Sequence, residues 1–136
     1  MQNRDCIRPE ISRTYTFGES GASGGQFYAQ HLKPIKLNDR PVDWHRRDLT
    51  YLLKDRWSSE FRATVARARE VSSAAEVRGP GDFKLIYRSQ SELSTYSRHF
   101  GLIDDPKAGV PRTAFDGVLT FKWQGARVFL APASYA

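Results

Sequence analysis

The sequence predicts one domain that combines α-helices with a β-hairpin, and three observations predict it. Val118 to Trp123 alternates apolar and polar residues with period 2, Gln124-Gly125 follows as a tight turn, and Ala126 to Leu130 forms a second strand-like run. Val42, His45, Leu49 and Leu52/Leu53 recur at helical spacing, as do Phe83, Ile86, Gln90, Leu93, Ser97 and Phe100. The length of 136 residues suits a single core.

Residues 1–37 read as an extended N-terminal arm. Gly18-Glu19-Ser20-Gly21-Ala22-Ser23-Gly24-Gly25 is a flexible stretch, and Pro34, Ile35 and Leu37 lead the arm onto a body spanning 38–136. The first helix is expected over 41–54. Asn38 or Asp39 caps it, Pro41 suits its first turn, and Asp43 complements its dipole. Residues 58–78 support two readings. The alanines of Glu60–Arg69 favour helix, while Phe61, Ala63 and Val65 also fall on one face of an alternating pattern. Gly79-Pro80-Gly81 breaks the chain, Asp82 caps a second helix running to Phe100, and Gly101 ends it. Asp104 to Gly109 is a turn. In the closing hairpin, Leu119, Phe121 and Trp123 face the core. Val118, Thr120, Lys122 and Gln124 face the other way, toward a ligand, and Pro132 stops the second strand.

Composition narrows the function classes. Lys plus Arg number 21 against 15 Asp plus Glu, a net charge of +6 and a pI of about 9.7. An acidic partner is favoured, nucleic acid before anionic membrane, although such a charge also simply keeps a small protein soluble. No run approaches the roughly 20 apolar residues of a membrane span, and the polar start, Met1 to Glu10, gives no expectation of a signal peptide. Cys6 alone builds neither a disulfide framework nor a multi-cysteine zinc site, and it fits a reducing compartment. His31, His45 and His99 lack metal-ligand spacing, no nucleophile elbow or P-loop is present, and Asp104-Asp105 beside Pro106 reads as a turn. The residues therefore predict no catalysis, no cofactor and no metal.

The basic residues are concentrated. Residues 40–70 hold Arg40, Arg46, Arg47, Lys54, Arg56, Arg62, Arg67 and Arg69 against Asp43, Asp48, Asp55, Glu60 and Glu70, a local excess of three positive charges. Arginines near Trp44 and Trp57 suit a ligand with phosphates and stackable faces. A solvated helix face that carries tryptophan for packing fits the same composition. Trp123 shares a face with Leu119 and Phe121 and reads as core, while Trp57 fits either role.

The colinear order of Gly21-Ala22-Ser23-Gly24-Gly25, Pro41 to Trp44, Lys54-Asp55-Arg56-Trp57, Ser97-Arg98-His99-Phe100-Gly101 and Thr120-Phe121-Lys122-Trp123-Gln124-Gly125 resembles the tombusvirus and aureusvirus suppressors of RNA silencing. With one tryptophan in the reading segment, and a chain that stops just past the hairpin, it is closer to the shorter aureusvirus type. The resemblance implies an α+β fold in which a small curved antiparallel sheet, backed by helices and continuous across a homodimer, lies on an A-form duplex. It turns residues 61–69 into a strand. It implies a viral protein of the host cytoplasm that sequesters double-stranded RNA or siRNA without reading sequence, with loose length preference. The implied RNA-binding residues are Trp44, Arg46, Arg47, Lys54, Trp57, Arg62, Arg67, Arg69, Thr120, Lys122 and Arg127, with Trp44 stacking on the duplex end. The alternative is a module whose basic helix and tryptophans dock an acidic host protein.

Overall fold

The computed structural model describes residues 7, 25, 26, 28, 29, 33, 36–102, 104, 106, 107, 110, 111 and 114–136. Most of the arm expected over 1–37, including Cys6, Gly18 to Gly24 and His31, lies outside the described residues. The chain divides into two compact units, 1–47 and 48–136.

In the first unit the described structure centres on a single 3-10 turn, Trp44–Arg46, capped by the Asp43 carboxylate, which accepts from the His45 N–H at 3.2 Å. The second unit opens with a similar device. Asp48 Oδ1 accepts from the Thr50 N–H at 2.9 Å and starts a 3-10 turn, Thr50–Leu52. These two turns stand where one helix over 41–54 was expected. Each aspartate satisfies a backbone N–H two residues ahead, a local alternative that outcompetes helix formation.

Helix α1 spans Lys54–Arg67. Its alanines, with Val65 and Phe61 on the inward stripe, give the segment both propensity and a face to bury. The strand that the viral resemblance implied over 61–69 is therefore absent. Only Arg69–Glu70 is extended, as strand β1. Strand β2, Gly81–Tyr87, replaces the first half of the helix expected from Asp82, and α2 begins only at Gln90 and ends at His99. Phe83, Lys84, Leu85 and Ile86 are consecutively buried, the mark of a central strand covered on both faces. Ser89 caps α2 by accepting from the Glu92 N–H at 3.1 Å, and Glu92 Oε2 accepts from the Arg88 N–H at 2.6 Å.

Two short strands, β3 (Pro106–Lys107) and β4 (Val110–Pro111), pair antiparallel, the first within the Asp104 to Gly109 stretch read as a turn and the second just past it. The hairpin read from the sequence is present as β5, Leu119–Trp123, and β6, Ala126–Pro132. Both turn residues take positive φ, 46° at Gln124 and 87° at Gly125, which matches the twist of the paired strands.

The result is a small α+β domain with a mixed four-stranded sheet in the order β1-β2-β6-β5. β2 is parallel to both β1 and β6, and only β5 and β6 are antiparallel. The antiparallel sheet implied by the resemblance cannot form here, because the connection from β2 to β6 carries α2 and returns the chain in the same direction. Phe83, Leu85, Val128, Leu130 and Leu119 pack on one face with Leu93 and Phe100 of α2. Ile86, Phe129, Ala131 and Val118 pack on the other with Val65 of α1. Val118 is thus core, and the hairpin face expected to meet a ligand is open only at its Lys122 end.

Candidate functional site

The most distinctive surface in the 48–136 unit is an aromatic ladder that runs from solvent into the core. Tyr51 and Trp57 are 42% and 39% exposed, with ring centroids 6.5 Å apart and planes inclined at 53°. Trp57 lies nearly parallel to Phe61, at 22° and 6.4 Å. The Phe61 ring meets Phe115 edge-on at 5.1 Å and Phe129 at 6.2 Å, and Phe129 is 1% exposed. Trp57 and Phe61 are four residues apart on α1, so helical geometry stacks them on one stripe. Leu49 and Leu53 are also exposed.

Polar groups are fixed on the residues that flank Tyr51 and Trp57 in sequence. Arg56 donates from Nε to Glu60 Oε1 at 2.9 Å and from Nη1 to Thr50 Oγ1 at 3.0 Å. The Glu60 carboxylate holds the guanidinium more strongly protonated than usual. Hydrogen bonding from the Thr50 backbone N–H lowers the Asp48 carboxyl. Toward the inner end, Arg62 Nε and the Tyr135 hydroxyl both donate to Asp116 Oδ2, at 2.9 and 2.7 Å. The Tyr135 hydrogen bond, then Arg62, lowers the Asp116 carboxyl. Burial, then Asp116, pushes Tyr135 up to about 12. Each of these shifts moves its group further from neutrality. Among the described residues, no group of three or more His, Cys, Asp or Glu is placed to hold a metal ion.

The residues expected to bind RNA are distributed over both units. Trp44, Arg46 and Arg47 belong to the 1–47 unit, with Arg46 3.4 Å from Asp43. Lys54, Trp57, Arg62 and Arg67 lie along α1. Arg69 is in β1, its guanidinium 4.6 Å from the centre of the Phe83 ring. Thr120, Lys122 and Arg127 share one face of the hairpin, where Lys122 and Arg127 are register partners. The carboxylates of Asp82 and Asp116 pair with Arg127 of the sheet and Arg62 of α1. Sequence reasoning missed Tyr51, Phe115, Asp116 and Tyr135. Tyr51 stands six residues before Trp57, and Asp116 joins Arg62 across 54 positions, so neither follows a helix or strand period.

Comparison with known proteins gives a consistent result. Residues 1–135 match the GNT-I family. Over 134 residues the chain is 42% identical to the alpha-1,3-mannosyl-glycoprotein 2-beta-N-acetylglucosaminyltransferase of Arabidopsis thaliana, covering 95% of this chain and 30% of that protein. The chain thus spans less than a third of the length of this curated relative.

These matches overturn the viral resemblance, whose short motifs were each too common to outweigh 42% identity over 95% of the chain. Suppression of RNA silencing falls with it, as does the alternative of a module docking an acidic host protein. Double-stranded RNA is not the indicated partner, and host cytoplasm is not the indicated location. The expectation of no catalysis is also corrected, since the curated relative is an enzyme. The continuous-sheet homodimer loses the resemblance on which it rested.

Proposed function

The chain belongs to the GNT-I family, and from that premise we propose that it is part of an N-acetylglucosaminyltransferase acting on mannosyl-glycoproteins in the Golgi. The observation that carries this reading is 42% identity sustained over 95% of the chain. In such a reaction a mannose hydroxyl oxygen attacks the anomeric carbon of nucleotide-activated N-acetylglucosamine. The bond to the nucleoside diphosphate breaks, and the hydroxyl proton leaves to a base.

The described residues support a binding and scaffolding share of that task. Their titratable clusters are poised away from neutrality, while the aromatic ladder offers apolar rings edged with fixed donors and acceptors. The net charge of +6 also suits a donor that carries a diphosphate.

The test is direct. The polypeptide carrying this chain is incubated with nucleotide-activated N-acetylglucosamine and a mannosyl glycopeptide, and the product is weighed by mass spectrometry. The glycopeptide is expected to gain one N-acetylhexosamine. A glycopeptide of unchanged mass, under conditions where the Arabidopsis enzyme modifies it, overturns the proposal.

A further inference from the structure

We propose that Tyr51 and Trp57 form a glycan subsite that holds one pyranose ring of the mannosyl acceptor, with Arg56 donating hydrogen bonds to its hydroxyls. The inference rests on the transferase reading above and assigns a substrate contact within it.

The two rings are inclined at 53° with centroids 6.5 Å apart, and both remain substantially exposed. The chain invests in holding them still. Phe61 supports the back of Trp57, and Phe115 and the buried Phe129 wedge Phe61 in turn. Tyr51 sits in the Thr50–Leu52 turn, which the Asp48 side chain ties down. A platform ordered before the ligand arrives loses little entropy on binding.

The polar rim decides which ligand fits. A pyranose presents an apolar C–H face bounded by a belt of hydroxyls. Trp57 offers a flat apolar face, and the guanidinium of Arg56, the residue before it on α1, is pinned by Glu60 and by Thr50, the neighbour of Tyr51, with N–H donors to spare. Hydroxyls are also donors, and the Glu60 and Asp48 carboxylates are exposed acceptors. A protein–protein interface core favours aromatics and arginine but is depleted in Asp, Glu and Lys. Here Asp48, Lys54, Asp55 and Glu60 crowd the same 13-residue stretch as the rings. That mixture suits a neutral, hydroxyl-rich ligand better than a desolvated protein surface.

The experiment measures acceptor and donor saturation separately in the active polypeptide, for wild type, Tyr51→Ala, Trp57→Ala and Arg56→Gln. Loss of one aromatic stacking partner is expected to raise the acceptor KM about tenfold, with donor KM unchanged. Arg56→Gln, which keeps one donor group, is expected to raise it by about threefold. Trp57→Phe, which keeps a ring and protects the fold should the alanine variant fail, should recover most of the acceptor affinity. Wild-type transfer combined with unchanged acceptor KM in folded Tyr51→Ala and Arg56→Gln, Trp57→Ala included where it folds, overturns the subsite and leaves the transferase reading intact. Absence of transfer by wild type defeats that reading instead. Acrylamide quenching compared between wild type and Trp57→Phe gives a second decision. If Trp57 in the sugar-free polypeptide is shielded from the quencher, protein covers the ridge and the subsite is overturned.

Discussion

Tyr135 donates its hydroxyl to Asp116 Oδ2 at 2.7 Å, and this bond ties the last turn of the chain, Ala133–Tyr135, to the turn that precedes β5. Arg62 of α1 donates to the same oxygen, so one carboxylate gathers three segments that are distant in sequence. The carbonyl of the same residue, Tyr135, accepts from the buried Lys84 ammonium at 3.0 Å. The C-terminal turn thus closes the α1 side of the sheet through both its side chain and its backbone.

That arrangement gives stability a pH dependence at the alkaline end. The Tyr135 hydroxyl is raised from its ordinary value of 10.0 to about 12 in the folded protein. A raised value means that the folded state keeps its proton while the unfolded state releases it. The contribution is therefore complete below pH 10 and is lost as pH rises through about 12. Asp116, whose carboxyl is lowered, acts at the other end: its contribution holds above the ordinary value of 3.8 and is lost as pH falls below it. Urea midpoints measured across both ranges should fall at each end. Tyr135→Phe should flatten the alkaline limb. An equally steep limb in that variant would show that other groups carry it.

Turn glycines provide a second prediction, in which two similar residues differ in cost. Gly125 has φ of 87°, and a Cβ there would meet open space. Gly117 has φ of 78°, and its Cβ would lie 3.1 Å from Pro132 Cγ and 3.6 Å from the Tyr87 hydroxyl. Gly125→Ala should cost about 1 kcal/mol, from the left-handed backbone alone. Gly117→Ala should cost about 2–4 kcal/mol, because crowding against the end of β6 adds to it. Chemical denaturation of the two variants under one condition ranks them, and the reverse order would contradict the structure.

The contrast between the two ends of the chain shows what the sequence made legible. Leu119 to Leu130 announced itself because a period-2 pattern and the Gln124-Gly125 turn sit within a dozen residues. Residues 83–100 misled because a strand buried on both faces lacks the period-2 alternation, and Phe83 and Ile86 happen to continue the helical stripe of α2. The corrective signal was present in Ser89-Gln90-Ser91-Glu92, the Ser-x-x-Glu pattern that caps α2. At 61–69 the alanines indicated helix correctly, and the borrowed family fold contradicted them. The Arg62–Asp116–Tyr135 cluster was out of reach altogether, since only the packing of α1 against β6 brings those positions together.

Lys84 and Glu70 form an asymmetric pair, and the asymmetry is testable. The Lys84 side chain is 8% exposed and the Glu70 side chain 52%, with Nζ and Oε2 at 3.2 Å. Removing the lysine leaves a carboxylate that water can reach. Removing the glutamate leaves a buried ammonium with only the Tyr135 carbonyl among its described partners. Lys84→Met, which preserves length and adds apolar contact, should fall within about 1 kcal/mol of wild type. Glu70→Ala should cost about 2 kcal/mol. Thermal melts of both variants settle the point: a lysine variant less stable than the glutamate variant would mean that the ammonium contributes more than it costs.

Ser97 offers the one substitution expected to stabilise. It is fully buried on the inward stripe of α2, and its Oγ has no hydrogen-bond partner among the described residues. A hydroxyl buried in that way keeps its desolvation penalty with nothing to offset it. Alanine removes the polar atom, leaves a void smaller than a methyl group, and is the better helix former. Ser97→Ala should therefore raise unfolding free energy by about 0.5–1 kcal/mol. Because Leu93 and Phe100 lie on the same stripe, the gain should appear without any change in the acceptor or donor KM of the active polypeptide. A loss of stability in Ser97→Ala would instead reveal that a buried water bonds Oγ and that the hydroxyl belongs to the core's hydrogen-bond network.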